Sequence, residues 1–347
     1  MTESGTRVSG MTFLGASDRG RRRGQIVQRH GWTVGVWLLF ASLLAWYASR
    51  LDAFGPYERT AILTTAVAAV FVAMGQGVVI LGGGIDLGLG SMVILVNCVS
   101  AKYMDGHGFV PCVLIALLVT LAAMMLGGAI GWVIHRSGVP DIIVTLATSF
   151  TLFGLALFIL PSPGGGTSPS FAHLVTGSET GEVYWPAILC LVVPFAGVWL
   201  PMRRRRTVLS IYAAGSNANA AFLSGVNLRR TKIASYALGS CFAALAGLAT
   251  TAVTGGGEPR FSTASAFTLN AVAAAVLGGV ALTGGIGGMI GPIGAALALS
   301  LLSPILTNLQ LSFTWMDSNM AEIVKGLILI VVVMIGGWAR ARKQKVV

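Results

Sequence analysis

A single carboxylate, Asp86, stands among five glycines in the stretch GGGIDLGLGS (82–91), which joins two long apolar runs. An ionisable residue in such a place is a candidate proton or cation site. A helix beginning at Leu87 offers an alternative, because a carboxylate beside its first turn accepts from free backbone N–H groups and is favoured by the helix dipole. A relay needs a chain of acids, and Asp141 and Glu322 lie at the ends of apolar runs instead. The sequence therefore favours a capping role.

Uncharged polar residues also occur within or at the edges of apolar runs. Their commoner role in a bilayer is to hydrogen-bond between helices, and lining a path for a polar solute is the alternative. With the glycines around Asp86 they form the candidate pathway or hinge residues: Gly84, Asp86, Gly88, Ser91, Asn97, Thr145, Asn270, Thr283 and Gly284.

Enzyme and metal-site signatures are missing from the sequence. It contains no GxxxxGK[ST] phosphate loop, HExxH, GxSxG or DxDxG pattern, its four histidines lie in separate segments, and its four cysteines form no CxxC pair. We therefore expect no catalytic residue, no metal site and no cofactor bound by this chain, which cannot hydrolyse ATP with a P-loop of its own.

Membrane helices are the elements that must position these residues. The chain of 347 residues is 55% hydrophobic and only 10% charged, whereas soluble domains carry about 25% charged residues. Apolar runs long enough to cross a bilayer recur along its whole length. They predict an all-α bundle of about ten transmembrane helices, at 32–49, 60–82, 86–103, 109–134, 140–160, 186–201, 232–254, 267–283, 287–308 and 320–338.

The net charge of +11 is distributed as in a membrane protein and not as in a nucleic-acid-binding protein. With the N-terminus inside, the predicted spans leave eighteen basic residues in inner segments and four in outer segments. Because cytoplasmic segments are enriched in Lys and Arg, both termini are predicted to be cytoplasmic. Residues 1–31 and 339–347 are then basic tails, and 32–338 form the transmembrane domain.

The segment 202–231, called the inner loop below, is the one cytoplasmic connection substantial enough to receive a partner. It is basic at both ends, and its middle predicts a short helix and a turn at Ser224-Gly225.

The glycine-rich stretch 82–91, the first seam, has an echo at 283–293, the second seam. GGGIDLGLGSM (82–92) resembles TGGIGGMIGPI (283–293). Repeated halves with glycine-broken helices are typical of transporters, whereas convergent use of glycine in tight helix packing explains the same pattern. The sequence gives the two interpretations similar weight. GxxxG spacings at 84/88, 127/131 and 287/291 predict close packing of helix backbones.

Five stretches, in this order, resemble one known family, the permease subunits of ribose/xylose/arabinose/galactose-type ABC importers. They are GGGIDLGLGSMVIL (82–95), VPDIIVTLATSFTLFGLAL (139–157), IYAAGSNANAAFLSGVNLRRTKIASYALGSCFAALAGL (211–248), TLNAVAAAVLGGVALTGGIGGMIGPIGAAL (268–297) and MAEIVKGLILIVVV (320–333).

The resemblance implies a permease subunit of the cell inner membrane. Two such chains, identical or related, would form the pore in the lipid bilayer. A separate ABC ATPase with two P-loop domains would use ATP inside, and an extracytoplasmic sugar-binding protein would deliver substrate. By the same resemblance, the part of the inner loop that transmits ATPase closure contains Gly215, Ser216, Asn217, Ala220, Leu223, Ser224 and Gly225. The chain departs from the family pattern at 217–221 and at Asn270, where the family carries acids.

Alternating-access import of a monosaccharide (ribose-, xylose- or galactose-like) is the function that the resemblance implies, with the seams as hinges or pathway walls. Three alternatives stay open at this point. They are a branched-chain amino-acid ABC permease, a secondary transporter with Asp86 as its proton or cation site, and a membrane assembly protein that transports nothing.

Overall fold

The computed structural model describes residues 17–51, 54–177 and 195–312, and a few residues between 187 and 192 and between 320 and 334. Within them the protein is helical and contains no strand. The helices are α1 (Ser17–Arg50), α2 (Pro56–Leu81), α3 (Leu89–Met104), α4 (Phe109–Ser137), α5 (Asp141–Ile159), α6 (Pro169–Thr176), α7 (Leu200–Met202, preceded by the π-helical turn Phe195–Trp199), α8 (Arg206–Ser216), α9 (Ala218–Leu223), α10 (Leu228–Thr254), α11 (Phe261–Leu277), α12 (Ile290–Ser300) and α13 (Leu302–Ser312).

Six segments of the described residues are long and apolar enough to cross a bilayer: Gly31–Arg50, Glu58–Leu81, Phe109–Ser137, Asp141–Ile159, Leu228–Thr254 and Ile290–Leu309. Two shorter apolar helices, α3 and α11, accompany them. The all-helical membrane fold is thus confirmed, while six spans are found against the predicted ten. The predicted spans at 186–201 and 320–338 lie largely outside the described residues.

Helices α2, α3 and α10 form the centre of the bundle. The apolar window of α2 is 83% buried and that of α10 67%, whereas the window of α4 is only 11% buried. An apolar helix that stays exposed in the isolated chain requires an apolar surrounding, which a bilayer supplies. Helix α4 therefore lies at the periphery of the described bundle, and α2 and α10 lie inside it.

Close packing of α4 on α10 depends on two glycines, as their GxxxG spacing predicts. A Cβ at Gly131 would lie 2.8 Å from the carbonyl oxygen of Lys232, and one at Gly127 would lie 2.6 Å from that of Tyr236. The prediction is wrong for the other two GxxxG pairs, because Gly84 and Gly287 lie outside helices.

Several helix boundaries differ from the predicted spans for local reasons. The span predicted at 267–283 is the helix Phe261–Leu277, because Gly278 and Gly279 end it. The span predicted from 232 begins at Leu228, where the Asn227 side chain accepts from the amide of Arg230 (3.0 Å). Helix α1 begins at Ser17, within the predicted basic tail.

Both seams and the inner loop lie at one end of the bundle, called the seam end below. The last turn of α4 and the first turns of α5 and α10 lie there too. At the opposite end, the loop after α5 and the loop after α10 pair through reciprocal bonds between Gly164 and Gly257 (3.1 and 2.9 Å). Gly166 also donates to the carbonyl of Ala101 (2.9 Å), which fastens this loop pair over the end of α3.

Candidate functional site

The first seam begins with a helix stop whose left-handed backbone strongly favours glycine. Gly83 has a left-handed backbone (φ +74°), donates to the carbonyl of Ile80 (2.9 Å), and is followed by Gly84, which donates to that of Val79 (3.1 Å). This pair of bonds is the Schellman pattern, in which a positive φ satisfies the last carbonyls of a helix. Helix α2 therefore ends cleanly at Leu81, and the chain is free to turn.

The second seam is entered through the same pattern. Gly279 (φ +100°) donates to Val276 (3.1 Å), and Val280 donates to Ala275 (3.0 Å). The helices that leave the seams begin at Leu89 and Ile290, which occupy equivalent places when 82–92 is aligned with 283–293.

Matched glycines follow at the second position of each departing helix. A Cβ at Gly90 would collide with the carbonyl oxygen of Ala264, and one at Gly291 would collide with that of Gly278. The two non-helical connections differ in length, 82–88 against 278–289. The echo seen in the sequence therefore corresponds to two helix breaks whose departing helices begin at equivalent places. The tight packing of Gly90 and Gly291 explains it as well as a repeat of two halves does.

Asp86 lies within the first seam and is only 1% exposed. Its Oδ1 accepts from the amide of Gly88 (2.8 Å), and helix α3 begins after that residue, at Leu89. The start predicted at Leu87 is therefore wrong by two residues. The carboxylate stabilises the turn that leads into the helix and is not itself the N-cap.

Neighbouring helices hold the backbone around Asp86. The Gln76 side-chain amide, oriented so that both its groups are satisfied, donates to the Asp86 carbonyl (3.0 Å) and accepts from the Asp86 amide (3.3 Å). Thr145 of α5 accepts from the amide of Leu87 (3.1 Å), and Thr268 of α11 accepts from that of Gly90 (3.1 Å). Three helices thus fix one short segment through backbone bonds.

An ion pair packs directly against this segment. Asp141, the first residue of α5, accepts at Oδ2 from Lys232 Nζ and from Tyr236 Oη (2.8 Å). Lys232 and Tyr236 are four apart on α10 and share one face. A Cβ at Gly84 would lie 2.8 Å from Tyr236 Oη and would collide with the Asp141 carboxylate. We call Asp141, Lys232 and Tyr236 the latch, since they join α5 to α10 across the first seam.

The backbone of the inner loop packs directly against the backbones of both seams, with no side chain between them. Gly285 donates to the carbonyl of Leu81 (2.9 Å). A Cβ at Gly215, in the last turn of α8, would collide with that carbonyl oxygen and would lie 2.7 Å from the Gly285 amide. One at Gly284 would lie 2.8 Å from the Gly215 oxygen and 2.9 Å from the Cα of Gly83. We call this contact of Gly83, Gly215, Gly284 and Gly285 the glycine junction.

Two side chains of α8 reinforce the junction. Tyr212 Oη donates to the carbonyl of Gly287 (3.0 Å), and Ser216 Oγ donates to that of Gly285 (3.5 Å). Burial raises the pKa of Tyr212 above its ordinary value, so its hydroxyl stays protonated as a donor at neutral pH. Helix α8 is thereby attached to the second seam by both backbone packing and hydrogen bonds.

The remaining inner-loop candidates build a short helix beyond the junction. Asn217 caps α9 by accepting from the amide of Ala220 (3.0 Å), and Ser224 Oγ donates to the Ala220 carbonyl (2.9 Å). The predicted turn at Ser224-Gly225 is confirmed, with Gly225 at φ +83°. At its tip, Leu223 is 85% exposed, and its neighbour Phe222 is 65% exposed. Two large apolar side chains therefore project from a polar loop.

The other candidate residues lie at different depths. Ser91, the last residue of the first seam, has its Oγ 2.8 Å from Ser149 Oγ, and this contact joins α3 to α5. Asn97 lies towards the opposite end, donating to Thr251 Oγ1 and to the carbonyl of Gly256 (3.0 Å each) and accepting from the amide of Glu258 (3.0 Å). Its predicted bonding between helices is confirmed, and it also holds the loop after α10.

Two of the predicted candidates do not join the site. Asn270 is half-buried in α11, and Thr283 is exposed between α11 and α12. The predicted placement of Thr283 at a span edge is wrong, because the helix ends at Leu277.

The sequence did not predict the contacts made by four residues of the site: Gln76, Lys232, Tyr236 and Thr268. Lys232 and Tyr236 carried one available signal, their spacing of four at the start of an apolar helix. Gln76 lies inside an apolar run, and nothing local indicates that its partner is the backbone of Asp86.

Comparison with known proteins places the chain among membrane permeases. The family model described as branched-chain amino acid transport system, permease component, matches residues 59–333. The ribose import permease protein RbsC of Haemophilus influenzae is 30% identical over 284 residues, covering 80% of this chain and 84% of that protein. RbsC of Escherichia coli K12 is 32% identical over 280 residues, covering 78% and 82%.

The fructose import permease protein FruG of Bifidobacterium longum is 28% identical over 297 residues, covering 81% of this chain and 84% of that protein. No solved structure matches the chain. The family match spans both seams, the latch and the glycine junction, and the described helices are those of a multi-pass membrane protein. The chain therefore belongs to the permease-component family of the branched-chain amino acid transport system type.

Proposed function

We propose that the chain is the transmembrane permease subunit of a bacterial ABC importer that moves a monosaccharide across the inner membrane by alternating access. One observation carries the mechanism: at the glycine junction, the backbone of the inner loop packs directly against both helix breaks. Because backbones in contact have no flexible side chain to absorb a displacement, a movement of α8 is passed to both seams.

The driving force comes from a partner in this proposal. A separate ABC ATPase with two P-loop domains hydrolyses ATP and closes against the inner loop. Phe222 and Leu223, exposed at the tip of α9, are suited to enter an apolar cleft of that partner. Movement of α9 is passed through α8 to the junction, and from there to α2, α3, α11 and α12. The chain itself binds no cofactor and catalyses no reaction.

The orientation follows from the distribution of charge. Arg136, Arg203–Arg206 and Arg229 all lie at the seam end of the bundle, so the seam end and both termini are proposed to face the cytoplasm. The opposite end, with its paired loops at 164 and 257, then faces the extracytoplasmic sugar-binding protein. A second permease copy completes the pore.

The proposed substrate class rests on the similarity to known sugar permeases. Ribose and fructose import permeases are similar over about four fifths of this chain, which favours a monosaccharide over a branched-chain amino acid. Asp86 has a structural role in this proposal, because its Oδ1 accepts from the Gly88 amide in the turn that leads into α3, and an ABC permease needs no proton site.

Reconstitution tests the proposal. The permease, its ATPase and its binding protein are placed in proteoliposomes, and uptake of ribose, xylose, galactose, fructose and leucine is measured with and without ATP. We expect ATP-dependent uptake of one or more of the sugars, abolished when the P-loop lysine of the ATPase is replaced. Uptake of leucine alone, or sugar uptake driven by a proton gradient without ATP, would overturn the proposal.

A further inference from the structure

A cavity of about 430 Å³ opens at the seam end between α4 and α10, away from the glycine junction. Trp132, His135 and Arg136 from the end of α4 and Arg229 from the start of α10 line it. Two arginines on different helices thus converge on one space, and a tryptophan on α4 forms part of its wall.

The two arginines have no acidic partner in the described part of the chain. The nearby acid, Asp141, accepts from Lys232 and Tyr236 of the latch, and the other described ion pair joins Glu258 and Arg260 at the opposite end. Two uncompensated positive charges that share one cavity attract an anion strongly, and the guanidinium group matches phosphate geometry in two parallel bonds.

The depth of the cavity indicates where the anion comes from. Helix α4 has 29 residues, which is about 44 Å at 1.5 Å per residue, so it exceeds a hydrocarbon core of about 30 Å and its last turns reach the headgroup layer. Trp132 lies four residues before Arg136, on the same face, and tryptophan prefers that layer. The cavity therefore lies at the depth of the lipid headgroups.

We propose that this cavity is a binding site for the phosphate of an anionic phospholipid. Arg136 and Arg229 contact the phosphate oxygens, His135 donates a further hydrogen bond, and the indole of Trp132 lies beside the glycerol region. The proposed lipid site depends neither on the transport cycle nor on which sugar is transported. A bound lipid would join the end of α4 to the first turns of α10, which also carry Lys232 of the latch. Its occupancy can be measured without a transport assay.

The test compares lipid retention by two matched double variants. Full-length permease is reconstituted in nanodiscs containing phosphatidylglycerol and phosphatidylcholine, and the lipid that stays bound after extraction is quantified by native mass spectrometry. Arg136→Gln with Arg229→Gln removes the cavity charges. Arg204→Gln with Arg230→Gln removes two charges from the same end, outside the cavity, and serves as the control.

We expect wild-type protein and the control to retain phosphatidylglycerol over phosphatidylcholine. The cavity variant should lose apparent affinity by about fivefold for each arginine removed, about 25-fold in all. Its melting temperature in pure phosphatidylcholine should equal that of the wild type, because the replaced side chains are exposed.

Three results of the lipid measurements would overturn the assignment. They are equal loss in both double variants, which indicates general surface charge; unchanged retention in the cavity variant; and saturation of the cavity by inorganic phosphate at millimolar concentration without any preference for lipid. Competition between the purified ATPase and phosphatidylglycerol for the same arginines would also contradict it, since the cavity would then be a protein-docking surface.

Discussion

Gly285 donates its amide to the carbonyl oxygen of Leu81 at 2.9 Å, so the last residue of α2 is bonded directly to the second seam. Gly215 of the inner loop packs against both members of this bond. The two helix breaks are far apart in the sequence, but the fold brings them into contact with each other. The inner loop, which is proposed to bind the ATPase, packs against both of them.

Asp86→Asn should preserve transport. An amide oxygen accepts from the Gly88 amide as a carboxylate does, since Asn and Asp act about equally well in such turns. We expect ATP-dependent sugar uptake within twofold of the wild type, and a loss of about 1 kcal/mol in stability for Asp86→Ala, which cannot accept. Uptake is measured in proteoliposomes and stability by thermal unfolding. Collapse of uptake in Asp86→Asn would instead indicate a proton site.

The Asp141–Lys232 ion pair of the latch should contribute to stability as an energetically coupled pair. Lys232→Met leaves the Asp141 carboxylate with Tyr236 as its remaining side-chain donor, so we expect it to be more destabilising than Lys232→Met combined with Asp141→Asn. Thermal unfolding in detergent measures the cycle, with an expected coupling of about 1–2 kcal/mol.

The exposed pair Glu258 and Arg260 provides a control for the latch. The same cycle with Glu258→Gln and Arg260→Gln should give a coupling of at most about 0.5 kcal/mol, because solvent screens exposed ions. Equal coupling energies at the two places would contradict the structural role of the latch.

Asn97→Ala should loosen the loop after α10 without affecting the first seam. The side chain of Asn97 binds Thr251, Gly256 and the amide of Glu258. We expect the Glu258 amide to exchange with solvent at least tenfold faster in hydrogen–deuterium exchange. The amides of Leu87 and Gly88 should keep their protection, and faster exchange there as well would indicate general unfolding.

Phe222 and Leu223 should be needed for capture of the ATPase. Replacing both by Ser removes two exposed apolar side chains, and truncation of central interface residues of this kind costs about 2 kcal/mol or more. We expect the affinity for the ATPase to fall at least 30-fold in a pull-down or surface-binding assay. Phe158→Ser, at a comparably exposed apolar residue near the opposite end, is the control and should bind normally.

Local patterns in the sequence predicted much of the fold and part of the site. Pro140 before Asp141 predicts a helix start there, and α5 begins at Asp141. The glycines of the first seam predict a helix break, and Gly83 supplies the positive φ that it requires. Both signals depend on neighbours in the chain, so they are readable without tertiary information.

Contacts between distant segments could not be predicted in the same way. Nothing near Lys232 indicates that its ammonium pairs with Asp141, and nothing near Gly215 indicates that it packs on Leu81. The family resemblance identified Gly215 as part of the coupling segment. Only the fold shows why the residue is glycine: the carbonyl oxygen of Leu81 lies where a Cβ would be. The early end of α11 at Leu277 was missed because Gly278-Gly279 lies inside a continuous apolar run.

The glycine junction is tested most directly by Gly215→Ala, compared with Gly154→Ala, whose added methyl group meets nothing within 4 Å. The measurement is the number of sugar molecules imported per ATP hydrolysed, in proteoliposomes with the ATPase and the binding protein. We predict that Gly215→Ala retains at least half of the ATP hydrolysis but imports at least tenfold less sugar, whereas Gly154→Ala matches the wild type. An unchanged ratio in Gly215→Ala would contradict transmission through the junction.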